Sequence, residues 1–194
     1  MGKIVISANA TLDGVVEDPD GQEGFAMGGW FHQFVERKDL EDWVTHETEE
    51  VQGAAALLYG RRTFEWFASR APEMAVRVSP TWADRVNRLP KYVVSATLDH
   101  PRWGNPTVLA GAPAQAIGEL KRKVTGEILV YGSYRLARTL IEQGLADELR
   151  LIVFPAVLGA GRRLFDETAD KKPLHLVATR RIGDALVSHT YAFA

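Results

Sequence analysis

Cysteine is absent from this chain of 194 residues. That excludes disulfide frameworks, iron–sulfur clusters and thiol catalysis, and it suits a reducing cytoplasm. Excess charge is missing too: the formal net charge of -2 gives no global attraction to nucleic acid or to an anionic membrane. No apolar run approaches the roughly 18 to 20 residues that cross a bilayer, and the apolar stretch after Lys3 is too short for a signal sequence. A cytoplasmic location and a small-molecule partner are therefore expected, with neither nucleic acid nor membrane as partner. Repeats, low-complexity tracts and linkers are absent as well, so residues 1–194 are expected to form a single domain. Hydrophobic residues at 46% and charged residues at 25% match a globular chain able to bury a core.

What is present is an alternation of strand and helix patterns. Residues 3–8 read as a β-branched strand that leads into a long loop through Asp13-Gly14 and Asp18-Pro19-Asp20-Gly21. Helical spacing of Leu40, Trp43, Val44 and Val51 predicts a helix over residues 38–52. The apolar run 54–59 ends at Gly60, and residues 61–67 read as a short helix. Ser79-Pro80 supplies an N-cap and a first-turn proline for a helix over 80–88. Strands are expected at 92–95 and, more weakly, 107–110, followed by a helix from Pro113. The strand at 128–131 ends at Gly132, Ser133 is placed to cap a helix over 134–143, and Gly144 fits its stop. A strand at 148–154 precedes two alternating segments, 174–181 and 186–193, joined as a hairpin. Strands separated by helices, then an antiparallel pair, predict an α/β fold with a mixed, mainly parallel sheet flanked by helices.

In such sheets ligands bind beyond the carboxyl ends of the parallel strands, where helix N-termini offer N–H groups to anions. Three strand ends carry suitable residues. Gly60-Arg61-Arg62-Thr63 combines a glycine, two guanidinium groups able to clamp phosphate, and a hydroxyl. Ser95 and Thr97 place two hydroxyls just past a strand, and Gly132-Ser133-Tyr134 again opens a helix from a glycine. Together they point to phosphate binding. The Rossmann pattern G-x-G-x-x-G follows none of the strands, and Gly159-Ala160-Gly161 reads as a tight turn. On the 38–52 helix, Glu47 falls in the middle of the apolar stripe. It either faces a pocket, because an inward carboxylate is costly unless paired, or it is solvated on a rotated helix.

Metal chemistry finds little support. His46-Glu47 lacks the second histidine of H-E-x-x-H and reads as part of a surface helix, while His32, His100, His175 and His189 are scattered. Nucleophilic hydrolysis lacks G-x-S-x-G.

The segments Leu57 to Phe67 (LLYGRRTFEWF), Leu89 to Leu98 (LPKYVVSATL) and Glu127 to Phe165 resemble, in order, those of the dihydrofolate-reductase-like superfamily. The branch most resembled includes the C-terminal reductase domain of the bacterial riboflavin-biosynthesis deaminase/reductase. TLDGVVEDPDG near the start and the terminal SHTYAF also fit, so the resemblance spans almost the whole chain. It implies a dihydrofolate-reductase-like fold and NADPH as cofactor, with reduction of a small polar heterocycle such as the phosphoribosylaminouracil of riboflavin synthesis or a pterin. It places Gly60, Arg61, Arg62 and Thr63 on the cofactor's phosphates, with Arg61, Ser95 and Thr97 about the adenosine 2′-phosphate. Gly132, Ser133, Tyr134, Arg135 and Leu136 would wrap the pyrophosphate, and Ala8, Asp13, Gly14 and Val15 would border the nicotinamide. Glu47 would stand in for the substrate-binding carboxylate of the folate enzymes and assist proton transfer, with Asp13 as the second candidate. Gly132-Ser133 replaces the paired glycines of the folate enzymes, which argues against a folate reductase, and Ala96 stands where some relatives have a basic residue. Relatives of this branch are commonly dimeric, so a homodimer is expected, through the terminal hairpin or the strand before Pro155. The contrasting reading is a non-catalytic module that only binds NADPH.

Overall fold

A computed structural model describes residues 1–99, 101–165 and 168–194; His100, from the scattered histidines, lies outside the described residues, with Asp166 and Glu167. The chain forms two compact units, one of Met1–Ile6 and Val44–Asp147, the other of Ser7–Trp43 and Glu148–Ala194. Strand β1 (Lys3–Thr11) and helix α2 (Arg37–Gly53) each run from one unit into the other.

In the first unit, β2 (Ala54–Gly60), α3 (Arg61–Arg70), α4 (Met74–Arg77), α5 (Pro80–Arg88), β3 (Lys91–Val94), β4 (Thr107–Leu109), α6 (Pro113–Lys123), β5 (Glu127–Tyr131) and α7 (Tyr134–Glu142) follow α2. Its strands lie in the order β4-β3-β2-β5-β1. β2 pairs in parallel with β3 through Leu57↔Lys91 and with β5 through Leu57↔Leu129, and β3 pairs in parallel with β4. Parallel strands buried on both faces need continuous apolar runs, which the sequences AAALLYG and EILVY supply. Leu57, Tyr59, Phe64, Trp82, Val86, Val93 and Leu129 belong to its core. Ser79 caps α5 as expected, accepting from the Trp82 N–H at 3.0 Å.

In the second unit, α1 (Trp30–Gln33), β6 (Glu148–Phe154), β7 (Leu174–Ile182) and β8 (Leu186–Phe193) join the remainder of β1, in the strand order β1-β6-β8-β7. β8 pairs antiparallel with both β6 and β7. Trp30 packs edge-on to Phe154 at 5.3 Å and donates its indole N–H to the Glu17 carbonyl. The segments 174–181 and 186–193 form the expected hairpin as β7 and β8, and β7 is an edge strand, with Leu176 and Val177 each 60% exposed. The first strand also runs further than expected, to Thr11, whose hydroxyl receives the Val15 N–H and so holds the chain in register past residue 8. The eight strands make the mixed, mainly parallel sheet with flanking helices and a C-terminal antiparallel hairpin that the sequence predicts. No helix of the described residues is long and apolar enough to cross a membrane.

Candidate functional site

Three helices of the first unit begin around one cleft. A helix leaves its first N–H groups without intrahelical partners, so an uncapped start is electropositive. α3 starts after Gly60, which has no side chain to cap it, and α6 starts at Pro113 after an uncapping Ala112. α7 starts at Tyr134 after Ser133, and here the sequence reading needs correction, since Ser133 does not cap the helix. Gly132 and Ser133 are both left-handed, at φ 52 and 51, and this turn directs the serine hydroxyl to accept the Gly60 N–H at 3.0 Å instead. A left-handed serine is strained by about 1 to 2 kcal/mol, and the turn leaves α7 without a side-chain cap.

The cleft has a volume of about 410 Å³, within the range of small-molecule sites. Its lining includes Gly60, Arg61, Arg62, Thr63, Ser95, Thr97, Ser133, Tyr134, Arg135 and Leu136, so ten of the residues singled out from sequence meet in one place. Gly132 adjoins it, with the position of a Cβ on that residue 3.4 Å from the Thr63 side chain. The Ser133 N–H donates to the Thr63 hydroxyl at 3.1 Å, which ties the turn after β5 to α3. The Arg61 guanidinium is held from two sides, by Glu65 at 2.8 Å and by the Thr97 hydroxyl at 2.7 Å. Ser95 in turn accepts the N–H groups of Thr97 and Leu98, fixing the turn that carries Thr97. Among the described residues no carboxylate lines the cleft; its charged lining residues there are Arg61, Arg62 and Arg135. The site therefore suits a multiply anionic ligand.

Glu47 is buried, 3% exposed, in the same unit. The reading of residues 46–50 as a surface helix thus fails for Glu47 and for Glu50, which is 8% exposed. Burial raises the Glu47 carboxyl well above the usual carboxylate range, the nearby Glu50 adds to that rise, and the Tyr131 hydroxyl opposes it. The same environment raises the Tyr131 phenol, chiefly by burial and then through Glu47 and Glu50. Tyr131 immediately precedes Gly132, so the strand end that opens the cleft there also supplies a neighbour of the acid pair.

Ala8, Asp13, Gly14 and Val15 belong to the second unit. Asp13 accepts from the Thr11 hydroxyl at 2.6 Å, from the N–H groups of Leu158 and Gly159, and from Arg163. The Thr11 hydrogen bond, countered in part by desolvation and reinforced by the two backbone N–H groups, lowers its pKa to about 2. It is an ionised clamp on the Gly159 turn and carries no proton to donate near neutrality. Val15 is fully buried and Ala8 is 8% exposed, whereas Gly14 faces open space.

Sequence reasoning passed over Val94, Pro113 and Thr139 in the cleft, and Glu50 and Tyr131 beside Glu47. The acid pair carried a readable signal, because Glu50 follows Glu47 by three residues on one helix face.

Residues 2–188 match the protein family described as the RibD C-terminal domain. The chain is 28% identical over 195 residues to YyaP, an uncharacterized protein of Bacillus subtilis (strain 168), covering 97% of this chain and 94% of that protein. A solved protein of Shewanella sp. PV-4, named for riboflavin biosynthesis, aligns with a TM-score of 0.75 at 20% identity over 99% of both chains. The diaminohydroxyphosphoribosylaminopyrimidine deaminase/5-amino-6-(5-phosphoribosylamino)uracil reductase of Thermotoga maritima aligns with a TM-score of 0.64 at 13% identity, over 100% of this chain and 57% of that one. At these identities the two structures establish a shared fold.

Proposed function

The chain belongs to the RibD C-terminal domain family, and from that premise we propose that it is an NADPH-dependent reductase of a small polar heterocycle, of the aminopyrimidine kind named for the Thermotoga maritima relative. The observation that carries this reading is the cleft at which α3, α6 and α7 begin, lined by Arg61, Arg62 and Arg135 with no carboxylate among the described residues. Bound NADPH would supply the hydride, since in such enzymes the cofactor carries the reactive chemistry. The residues on the cleft fit its phosphates. Arg61 and Thr97 would hold the 2′-phosphate, Arg62 and Thr63 would add donors at the start of α3, and the start of α7 at Tyr134, Arg135 and Leu136, which has no side-chain cap, would take the pyrophosphate. A Cβ at Gly60 would lie 3.8 Å from Ser133 and Leu136, an ordinary contact. Packing does not demand glycine there, which favours close approach of a ligand as its role.

The protein's part in the chemistry falls to Glu47. Burial and Glu50 raise its carboxyl well above the usual carboxylate range, so it would hold a proton more readily than an ordinary glutamate, anchor a ring nitrogen and protonate it as the neighbouring carbon is reduced. Fluorescence titration with NADPH and NADH, followed by NADPH oxidation assays with aminopyrimidines and pterins, tests the proposal. NADPH binding with turnover of one heterocycle class is the expected result. Binding without turnover on any of them would make the chain a non-catalytic NADPH module, and absence of binding would overturn the reading. The same proposal includes a homodimer formed through the terminal hairpin, supported by the exposure of Leu176 and Val177 on β7.

A further inference from the structure

Among the described residues other than glycine, Asp18, Asn105 and Ser133 have a left-handed backbone, and of these Ser133 alone lines the cleft. A Cβ makes that conformation costly, so it persists only where neighbouring contacts fix it, and such positions gather at binding sites. The contacts that fix Ser133 both run to the junction of β2 with α3. Its Oγ accepts the Gly60 N–H at 3.0 Å, and its own N–H donates to the Thr63 Oγ1 at 3.1 Å. Gly60 is the last residue of β2 and Thr63 lies in the first turn of α3, so one residue grips the start of α3 on both sides of Arg61 and Arg62. The Ser133 carbonyl meanwhile accepts the Ala137 N–H at 2.9 Å, the bond that opens α7. The two helix starts are thereby locked together through a side chain on the wall of the cleft.

A hydroxyl oxygen that accepts an N–H keeps its own hydrogen for donation. Among the described residues neither Ser133 nor Thr63 gives that hydrogen to a protein acceptor. Two hydroxyl donors are therefore left on the cleft, a match for the oxygens of an ionised phosphate.

We propose that Ser133 couples the starts of α3 and α7 into one phosphate subsite: its strained backbone is kept for ligand binding rather than for the fold, and its hydroxyl and that of Thr63 donate to the same pyrophosphate. Assigning that pyrophosphate to a nicotinamide dinucleotide rests on the reading above. Ser133 then serves NADPH and NADH alike, whereas Arg61 serves the 2′-phosphate alone.

The test titrates the full chain and its variants with inorganic pyrophosphate, NADPH and NADH, followed by amide NMR shifts, beside urea unfolding. Ser133→Ala and Ser133→Gly should each weaken all three by about tenfold or more, as loss of one charge-assisted hydrogen bond implies. Glycine takes a positive φ at no steric cost, so Ser133→Gly should be the more stable of the two and still bind no better. Thr63→Val should reproduce the loss, and Thr63→Ser, which keeps the hydroxyl, should restore parental affinity. Affinities that follow stability, with Ser133→Gly close to the parent, overturn the proposal and leave Ser133 a residue of the fold. A loss confined to NADPH overturns it equally, because the pyrophosphate is common to both dinucleotides. If Ser133→Ala fails to fold, Ser133→Gly and the two Thr63 variants decide alone. Parental binding of pyrophosphate but of neither dinucleotide, lost in the Ser133 variants, removes the NADPH reading and keeps the coupling. A parent that binds none of the three ends both.

Discussion

The Arg61 Nη1 donates to the Thr97 Oγ1 at 2.7 Å, joining the first residue of α3 to the turn that follows β3. With Nε occupied by Glu65, the guanidinium is pre-positioned. The exposed Arg61–Glu65 pair adds little to stability, so its consequence lies in binding. Arg61→Ala should weaken NADPH by about 10- to 100-fold, as loss of one or two charge-assisted hydrogen bonds implies, and should leave NADH affinity almost unchanged. Fluorescence titration reads both. Equal losses for the two cofactors would remove Arg61 from 2′-phosphate recognition.

Glu47→Gln should lower reductase turnover by about 100-fold or more, the usual contribution of a positioned acid, with NADPH affinity within about twofold of the parent. A second consequence concerns stability. The Glu47 carboxyl has a raised pKa in the folded chain, so the native state binds that proton more tightly than the unfolded state does. Its stabilising contribution is present at acid pH and is lost as pH rises from the ordinary carboxyl range toward the raised value. Relative to the parent, the Gln variant should therefore gain Tm as pH rises from about 5 to 8. A constant difference across that window would contradict the assigned shift.

Asp39 joins two parts of the second unit. Its carboxylate accepts the Glu36 N–H at the start of α2 and the N–H groups of Asp184 and Ala185 in the hairpin turn. Those three N–H groups hold its pKa below the usual value although burial acts against them. Asp39→Ala should cost about 2 to 4 kcal/mol in urea unfolding, because buried donors lose their acceptor. The contribution is present above the unfolded carboxyl range and is lost as pH falls through the folded value, so wild type and variant should converge in acid.

Asp13→Asn should loosen the turn at Leu158 and Gly159 without unfolding the chain, since the clamp is local. Amide exchange at those two positions should quicken by at least about tenfold, the worth of a charge-assisted hydrogen bond. With a folded pKa of about 2, the parent should keep this protection at moderately acid pH and lose it only as pH falls toward about 2.

Light scattering should return twice 21.5 kDa for the parent chain. Leu176→Lys combined with Val177→Lys on β7 should give the single-chain mass, because charged edge strands resist pairing. A monomeric parent at micromolar concentration would exclude the dimer.

Much of the candidate site was legible because its chemistry is local. A glycine ending an apolar run, followed by arginines or by a helix start, marks Gly60 and Gly132 without any knowledge of neighbours, and Ser79-Pro80 announces α5 in the same way. The errors occurred where local and distant demands diverge. Ser133 has the right identity for a cap, yet the left-handed turn it shares with Gly132 sends its hydroxyl to Gly60. His46-Glu47 reads as part of a surface helix, yet packing of α2 buries Glu47 and Glu50.

By itself the sequence determined the order of strands and helices apart from the short α1 and α4, the parallel character of the sheet and the residue types offered to phosphate, since periodicity, capping and turn chemistry act over a few residues. Only the tertiary structure decided that Arg61 and Thr97 meet, that Asp13 clamps the Gly159 turn as an ionised carboxylate, and that Glu47 and Glu50 are buried together beside Tyr131. Each of these depends on contacts between segments distant in sequence, and burial and mutual charge, which set the protonation of a carboxyl, exist only once the chain has folded.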